Sequence, residues 1–192
     1  LVGEICKTAG LKTIVAGNIG LPVLDALQLE IPDIYVLELS SFQLETTTSL
    51  MLDAATVLNI CEDHMDRYSS VADYAAAKAR ILAHAKSVVL NRNDTTVLAM
   101  RRENAVTFGL SAAPKTVDFG LIEFKGESYL ASGQRKLCKT SELKIAGQHN
   151  IANALAAAAL CNVVGIQRFD IAAALRNFKG LPHRVEWVAT IN

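Results

Sequence analysis

Two apolar runs in the chain end in acid. DIYVLELSSFQLE carries Glu38 at the end of its run, and ATVLNICEDHMDRY ends in Glu62, Asp63 and His64. Both runs are too uniformly apolar for a half-exposed strand. They predict strands over 33–39 and 54–60 that are buried on both faces. Charges at the far end of such strands sit where open parallel sheets bind their ligands. The pairing points to a metal or phosphate site, and so to an enzyme.

The remaining pattern alternates strand and helix. LVGEICKTAG reads as a helix stopped by Gly10. LKTIVAG is a short strand breaking into the loop Gly17-Asn18-Ile19-Gly20, followed by a short helix with Pro22 near its first turn. A polar SSFQLETTTS segment separates the two acid-ended strands. Residues 70–85 are helical, SVVLN is a strand, and NDTTVLAMRREN is a short helix opened by Asn93 or Asp94. This order predicts an α/β fold with a mostly parallel sheet and crossover helices. From about 105 to 140 the pattern changes. VTFG, VDFGLIEFKG, ESYLASGQ and RKLCKT are short, alternating and Gly-separated, and read as antiparallel hairpins. GQHNIANALAAAALCNVVG and RFDIAAALRNF predict two helices, the first closed by Gly165, and LPHRVEWVAT a final strand.

Composition narrows the class. With 192 residues and 51% hydrophobic content, the chain can bury a substantial core in one large domain, or in one domain with a small appendage. Formal net charge is zero, and no basic stripe of the kind nucleic-acid binders carry is visible. The four cysteines, Cys6, Cys61, Cys138 and Cys161, are far apart and form no CxxC pair. They read as free thiols in a reducing compartment. The longest apolar stretch, IANALAAAALCNVVGI, is Ala-rich and too short to span a bilayer. A cytoplasmic protein is expected. LVGE begins in mid-helix pattern without an N-cap and RVEWVATIN stops in strand pattern, so a piece of a longer chain is expected.

Several residues are out of place on pattern alone. Lys78 falls inside the apolar stripe of its helix, formed by Val71, Tyr74, Ile81 and Ala85, opposite Asp73, Arg80 and His84. An amine on a buried face loses hydration, which lowers its pKa and favours either a partner or carbamylation by carbon dioxide. The alternative is a lysine that snorkels to water. Glu38 suits a magnesium ion, because hard cations prefer carboxylate oxygens; an ion pair at the strand end serves equally. Glu62, Asp63, His64 and Asp66 crowd one loop and call for a cation, although no zinc-ligand spacing is present and a polar turn is the alternative. Asn150 and Asn153 lie one turn apart at a helix start, able to read a base edge or to cap the helix. Asn18 in GNIG can face phosphate through loop amides or mark a turn. Arg184, after Gly180-Leu181-Pro182-His183, can clamp phosphate or lie on the surface. His84 and His149 say little.

Taken together, AGNIGLPVLDAL, YVLELSSFQLETTTSL, LNICEDHMDRY, YAAAKARI, GQHNIANALAAAAL and FKGLPHRVE resemble the central domain of the Mur ligases, in particular the branch that adds D-glutamate. The blocks run in order along nearly the entire chain, and ELSSFQLE with EDHMDR is the specific pair. The resemblance implies a P-loop-type ATPase domain with a mostly parallel sheet and a small antiparallel one. It implies ATP and two magnesium ions as cofactors, and UDP-N-acetylmuramoyl-L-alanine and D-glutamate as substrates of the intact enzyme. They would be joined through an acyl phosphate during peptidoglycan synthesis, which underlies cell shape and division.

It also implies roles. Glu38 would bind the magnesium between the ATP phosphates, His64 a second magnesium, and Lys78, carbamylated, would order that second ion. Asn150 and Asn153 would flank adenine, and Arg184 would approach the nucleotide phosphates. Asn18 and Ser40 would contact the UDP-sugar, with Asp63 in support. The family's GxxGKS/T phosphate loop does not occur in this sequence, so the chain alone is expected to be inactive, with N- and C-terminal domains missing. Rival expectations are another Mur-type or folylpolyglutamate synthase-like ligase, a non-catalytic module on the same fold, or a metal-dependent hydrolase built on Glu62, Asp63 and His64.

Overall fold

The computed structural model of the chain describes residues 1–180. The strand expected in LPHRVEWVAT lies outside them, as do His183 and Arg184. The chain opens with α1 (Val2–Thr8), which ends at Ala9 and is followed by Gly10 in the left-handed region. β1 (Thr13–Gly17) then leads through the short α2 (Val23–Ala26) to β2 (Ile34–Glu38). β1 and β2 form a two-stranded parallel sheet in which Gly17 lies opposite Glu38.

The second sheet has six strands in sequence order: β3 (Leu52–Val57), β4 (Ala85–Asn91), β5 (Val106–Phe108), β6 (Phe119–Phe124), β7 (Glu127–Ser132) and β8 (Arg135–Lys139). β3 to β6 pair in parallel, and β6–β7–β8 form an antiparallel ribbon. The mixed architecture agrees with the expected fold class. VTFG departs in detail: β5 belongs to no hairpin but pairs in parallel with β4 and β6. Three alternating residues carry no signal of strand direction, and here it is set by the neighbours.

Two further expectations change. The acid-ended strands are not buried on both faces. β2 has no buried residue, and β3 buries only Ala55 and Val57. Each pairs along one edge only among the described residues. The segment between them is helical: α3 (Ser41–Thr46) starts at Ser40, whose hydroxyl accepts from the backbone N–H of Gln43 while the Gln43 side chain accepts from the backbone N–H of Ser40. This reciprocal pair satisfies two orphan donors of the first turn. The helix expected over 70–85 is shorter. α4 (Val71–Ala79) tightens into a 3-10 turn, Arg80–Leu82, and Ala85 opens β4.

The core lies mainly around α6 (Gln148–Val163), where Ala154 to Ala159 are all buried. Small side chains allow close helix and sheet approach, and Leu155, Phe108, Phe119, Leu130 and Ile5 fill the space around them. Each such large side chain contributes roughly 1.5–3 kcal/mol of hydrophobic stabilisation. α7 (Arg168–Asn177) adds Ile171 and Leu175 to the same cluster. A smaller cluster of Val57, Leu82, Val88, Leu90 and Val97 joins β3 and β4 to α5 (Thr95–Ala99), which Asp94 caps. Among the described residues, no helix is long and apolar enough to cross a membrane.

Candidate functional site

The parallel strands β1 and β2 end together, and the first two candidates sit at that end. Gly17 has φ +126°, and a Cβ there would stand 2.1 Å from the carbonyl oxygen of Glu38. Only glycine permits this approach. It lets the backbone N–H of Asn18 donate to the same Glu38 carbonyl at 2.7 Å. Asn18 and Glu38 are thereby fixed side by side, both exposed. Being exposed, the Glu38 carboxylate needs no partner on grounds of burial. What remains is its place: a carboxylate at the C-terminal end of a parallel strand, open to a ligand.

Ser40 follows two residues later, and its hydroxyl is engaged with Gln43 as the cap of α3. The next residue but one, Phe42, starts an aromatic cluster that sequence reasoning did not anticipate. Phe42 lies 4.8 Å from the His64 ring and stacks in parallel with Tyr68 at 6.2 Å. Tyr74 meets the edge of His64 at 6.2 Å and Tyr68 at 5.3 Å. Such pairs contribute about 0.5–1.5 kcal/mol each beyond area burial. Glu45 adds a polar clamp: it accepts from the Tyr68 hydroxyl at 2.6 Å and pairs with Arg67. Arg80 Nε donates to the Leu44 carbonyl at 2.8 Å. ELSSFQLE, EDHMDRY and α4 are thus one packed unit. The signal available in the sequence was Phe42, Tyr68 and Tyr74, three of its few aromatics.

His64 sits in a tight turn with φ 55°, a conformation uncommon for residues other than glycine but one in which His, Asn and Asp are enriched. Asp63 supports the turn. Its Oδ1 accepts from the His64 backbone N–H at 2.9 Å, and its Oδ2 lies 3.6 Å from His64 Nε2. The His64 carbonyl accepts from Arg67 and Tyr68 N–H. The imidazole remains open to solvent on one side. Glu62 and Asp66 are exposed on the same loop.

Lys78 reaches the cluster from α4. It is half-buried, and its ammonium lies 5.2 Å from the centroid of the Tyr74 ring. Tyr74, only 5% exposed, therefore touches both His64 and Lys78. A cation on an aromatic face is stabilised by about 0.5–1 kcal/mol at a partly exposed site. Position in the last turn of α4 also favours a positive charge. An anionic carbamate at Lys78 therefore needs a cation close by.

The remaining candidates stand on α6. The Asn150 amide donates to the Ala146 carbonyl at 2.7 Å, which ties down the loop before Gly147 and leaves its side-chain oxygen as an acceptor. Asn153, one turn on, is exposed.

Magnesium and ATP can be tested against these donors. Exposed carboxylate oxygen at Glu38 fits a hard cation, and the His64 imidazole offers a nitrogen. Among the described residues no group of three or more His, Cys, Asp or Glu side chains could hold a metal by itself. A magnesium held here would need further donors such as phosphate oxygens and water, as is usual for this ion. As a metal ligand Lys78 fits only as the carbamate.

Residues 1–161 match the family model described as the Mur ligase middle domain. A Methylobacillus flagellatus protein named UDP-N-acetylmuramoylalanine--D-glutamate ligase is 59% identical over 100% of this chain and 43% of its own length. A Nitrosomonas europaea protein of the same name is 52% identical, with the same coverage. The chain thus spans less than half the length of these relatives. Among solved structures, MurF from Acinetobacter baumannii superposes with TM-score 0.75 at 19% identity, covering 98% of this chain and 45% of that one. A pseudomurein peptide ligase type C from Methanothermus fervidus gives 0.74 at 22% identity, covering 96% and 47%. At such identities the two structures speak for the fold alone, whereas the family match covers most of the sequence. The chain belongs to the Mur ligase family, as a middle domain of that family.

Proposed function

We propose that this chain is the ATP-binding middle domain of a cytoplasmic amide ligase that joins D-glutamate to UDP-N-acetylmuramoyl-L-alanine in peptidoglycan synthesis. The observation that carries the reading is the 59% identity, along the entire chain, to a relative bearing that ligase's name.

When bound, ATP supplies a phosphoryl group to the alanyl carboxylate, and magnesium offsets the repulsion between the two anions. The chain's own groups prepare that encounter. Glu38 offers its exposed carboxylate, and His64 an imidazole held by Asp63 and Phe42. Lys78, once carbamylated, adds a second anion beside Tyr74. Asn150, whose side-chain oxygen stays available, and Asn153 would flank adenine, Asn18 and Ser40 would contact the UDP-sugar, and Arg184 would approach the nucleotide phosphates. The D-glutamate amine then displaces phosphate from the activated carboxyl, giving the amide.

The test uses the intact parent enzyme. Glu38→Gln keeps the shape of the side chain and removes its charge. Phosphate release is expected to fall on the order of 100-fold, as for loss of one electrostatic contact in a transition state, with UDP-substrate binding retained. Full activity in the variant sinks the role of Glu38. Metal-dependent phosphatase activity of the chain alone, abolished by His64→Ala, would favour the hydrolase instead.

A further inference from the structure

The loop that presents His64 leans on one carboxylate of a neighbouring helix. Residues 61–69 lie between β3 and α4, and all but Tyr68 are exposed. Inside the loop the bonds are local. Asp63 accepts from the His64 backbone N–H, and the His64 carbonyl accepts from the backbone N–H of Arg67 at 3.0 Å and of Tyr68 at 3.1 Å. Among the described residues, both side-chain hydrogen bonds that tie this loop to another element end on Glu45 of α3. One Glu45 oxygen takes the Arg67 guanidinium, and the other takes the Tyr68 hydroxyl at 2.6 Å.

The same clamp reaches the imidazole. The Arg67 guanidinium lies over the Phe42 ring at 4.9 Å, and Tyr68 stacks on Phe42. Phe42 in turn lies 4.8 Å from the His64 ring. Glu45 therefore bounds His64 twice: through the turn that closes on Arg67 and Tyr68, and through the ring that both side chains pack against. Aromatic contacts tolerate sliding, whereas charge-assisted hydrogen bonds fix length and direction. The helix is also an arm between the two candidate cation donors. Its cap, Ser40, comes two residues after Glu38, and Glu45 stands in its last turn. Arg80, bonded to the Leu44 and Thr47 carbonyls, fixes that far end to the end of α4.

On the reading of His64 as a magnesium ligand, we propose that Glu45 is a positioning residue for it. Its carboxylate is spent on Arg67 and Tyr68, and through them it sets where the imidazole stands relative to Glu38. Removal of a group that orients a metal ligand costs about 10–100-fold in metal affinity. Glu45→Gln keeps the shape and an acceptor for Tyr68 but loses the charge that grips Arg67. A clamp of the same chemistry outside the site serves as control: Glu127 on β7 accepts from Lys139 at 2.8 Å and from the Tyr129 hydroxyl at 3.1 Å.

The test uses the intact parent enzyme and two readouts. Without metal, histidine-selective NMR reports the His64 ring protons, which the Phe42 ring displaces from the free-imidazole position. Glu45→Gln is expected to move them back toward that position, and Glu127→Gln to leave them. With a non-hydrolysable ATP analogue bound, manganese binding is measured by electron paramagnetic resonance, manganese standing in for magnesium. The component that His64→Ala removes should weaken about tenfold in Glu45→Gln and keep its strength in Glu127→Gln. Arg67→Gln opens the clamp from the other side and should reproduce both changes; it decides alone should Glu45→Gln fail to fold. An unmoved His64 resonance overturns the proposal, and so does His64-dependent manganese binding that Glu45→Gln leaves intact. An equal loss in Glu45→Gln and Glu127→Gln, the mark of general destabilisation, overturns it too. A moved resonance with manganese binding indifferent to His64→Ala upholds the positioning and overturns the magnesium role of His64 instead.

Discussion

Gly17 lets two strands end in the same place. Its φ of +126° and the 2.1 Å gap between a hypothetical Cβ and the Glu38 carbonyl leave no room for alanine. Gly17→Ala is expected to cost at least about 2 kcal/mol in urea unfolding, combining backbone strain with displacement of β2. A variant within 0.5 kcal/mol of wild type, about the scatter of a neutral surface change, would show that the strand ends part easily. Lys78 makes a different demand. Its ammonium is held on the Tyr74 face and at the end of α4, so the carbamate role depends on a neighbouring cation. In the intact parent, Lys78→Ala should abolish turnover, and short carboxylic acids such as acetate should restore part of it by standing in for the carbamate. A folded variant that no acid rescues would leave Lys78 a positive contact only. Lys78 was legible as a lysine inside an apolar stripe, because helical spacing alone shows it. The exposure of Glu38 was not, since an apolar run does not tell how many of its edges are paired.

At the scale of elements, α3 is held as much by its neighbours as by its cap. Glu45 on α3 accepts hydrogen bonds from Arg67 and Tyr68 on the next loop. The Arg67 bond, followed by that of Tyr68, holds the Glu45 carboxyl below the usual carboxylate range. Its folded-state pKa is lower than its unfolded one. The stabilisation is therefore fully present above the unfolded value of about 4.3, and is lost as pH falls through the folded value. Between about pH 5 and about pH 3 the urea midpoint should fall less steeply in Glu45→Gln than in wild type. Identical slopes would mean that the pair carries no pH-dependent stability. The capping box of α3 was readable as Ser40-x-x-Gln43, yet a run of Ser and Thr also reads as loop. What decided it is packing: Leu44 is buried and Phe42 lies on His64. The 3-10 turn that shortens α4 had no such signal, because Arg80–Leu82 continue the helical spacing while β4 takes Ala85.

At the scale of the molecule, strand–helix alternation was sufficient for the parallel sheet, and the Gly-separated alternating segments for the ribbon β6–β8. The direction of β5 was not readable, since it depends on contacts remote in sequence. The same holds for the site. Its candidate residues came block by block from the resemblance, while Tyr74, which joins His64 to Lys78, looked like any apolar position. The central claim concerns the parent from which this middle domain comes, and the most direct measurement is amino-acid-dependent phosphate release by that intact enzyme with ATP and magnesium. The account predicts release only when UDP-N-acetylmuramoyl-L-alanine and D-glutamate are both present, with one amide product formed per phosphate. Release that ignores D-glutamate, or that needs a folate in place of the UDP-sugar, would contradict it.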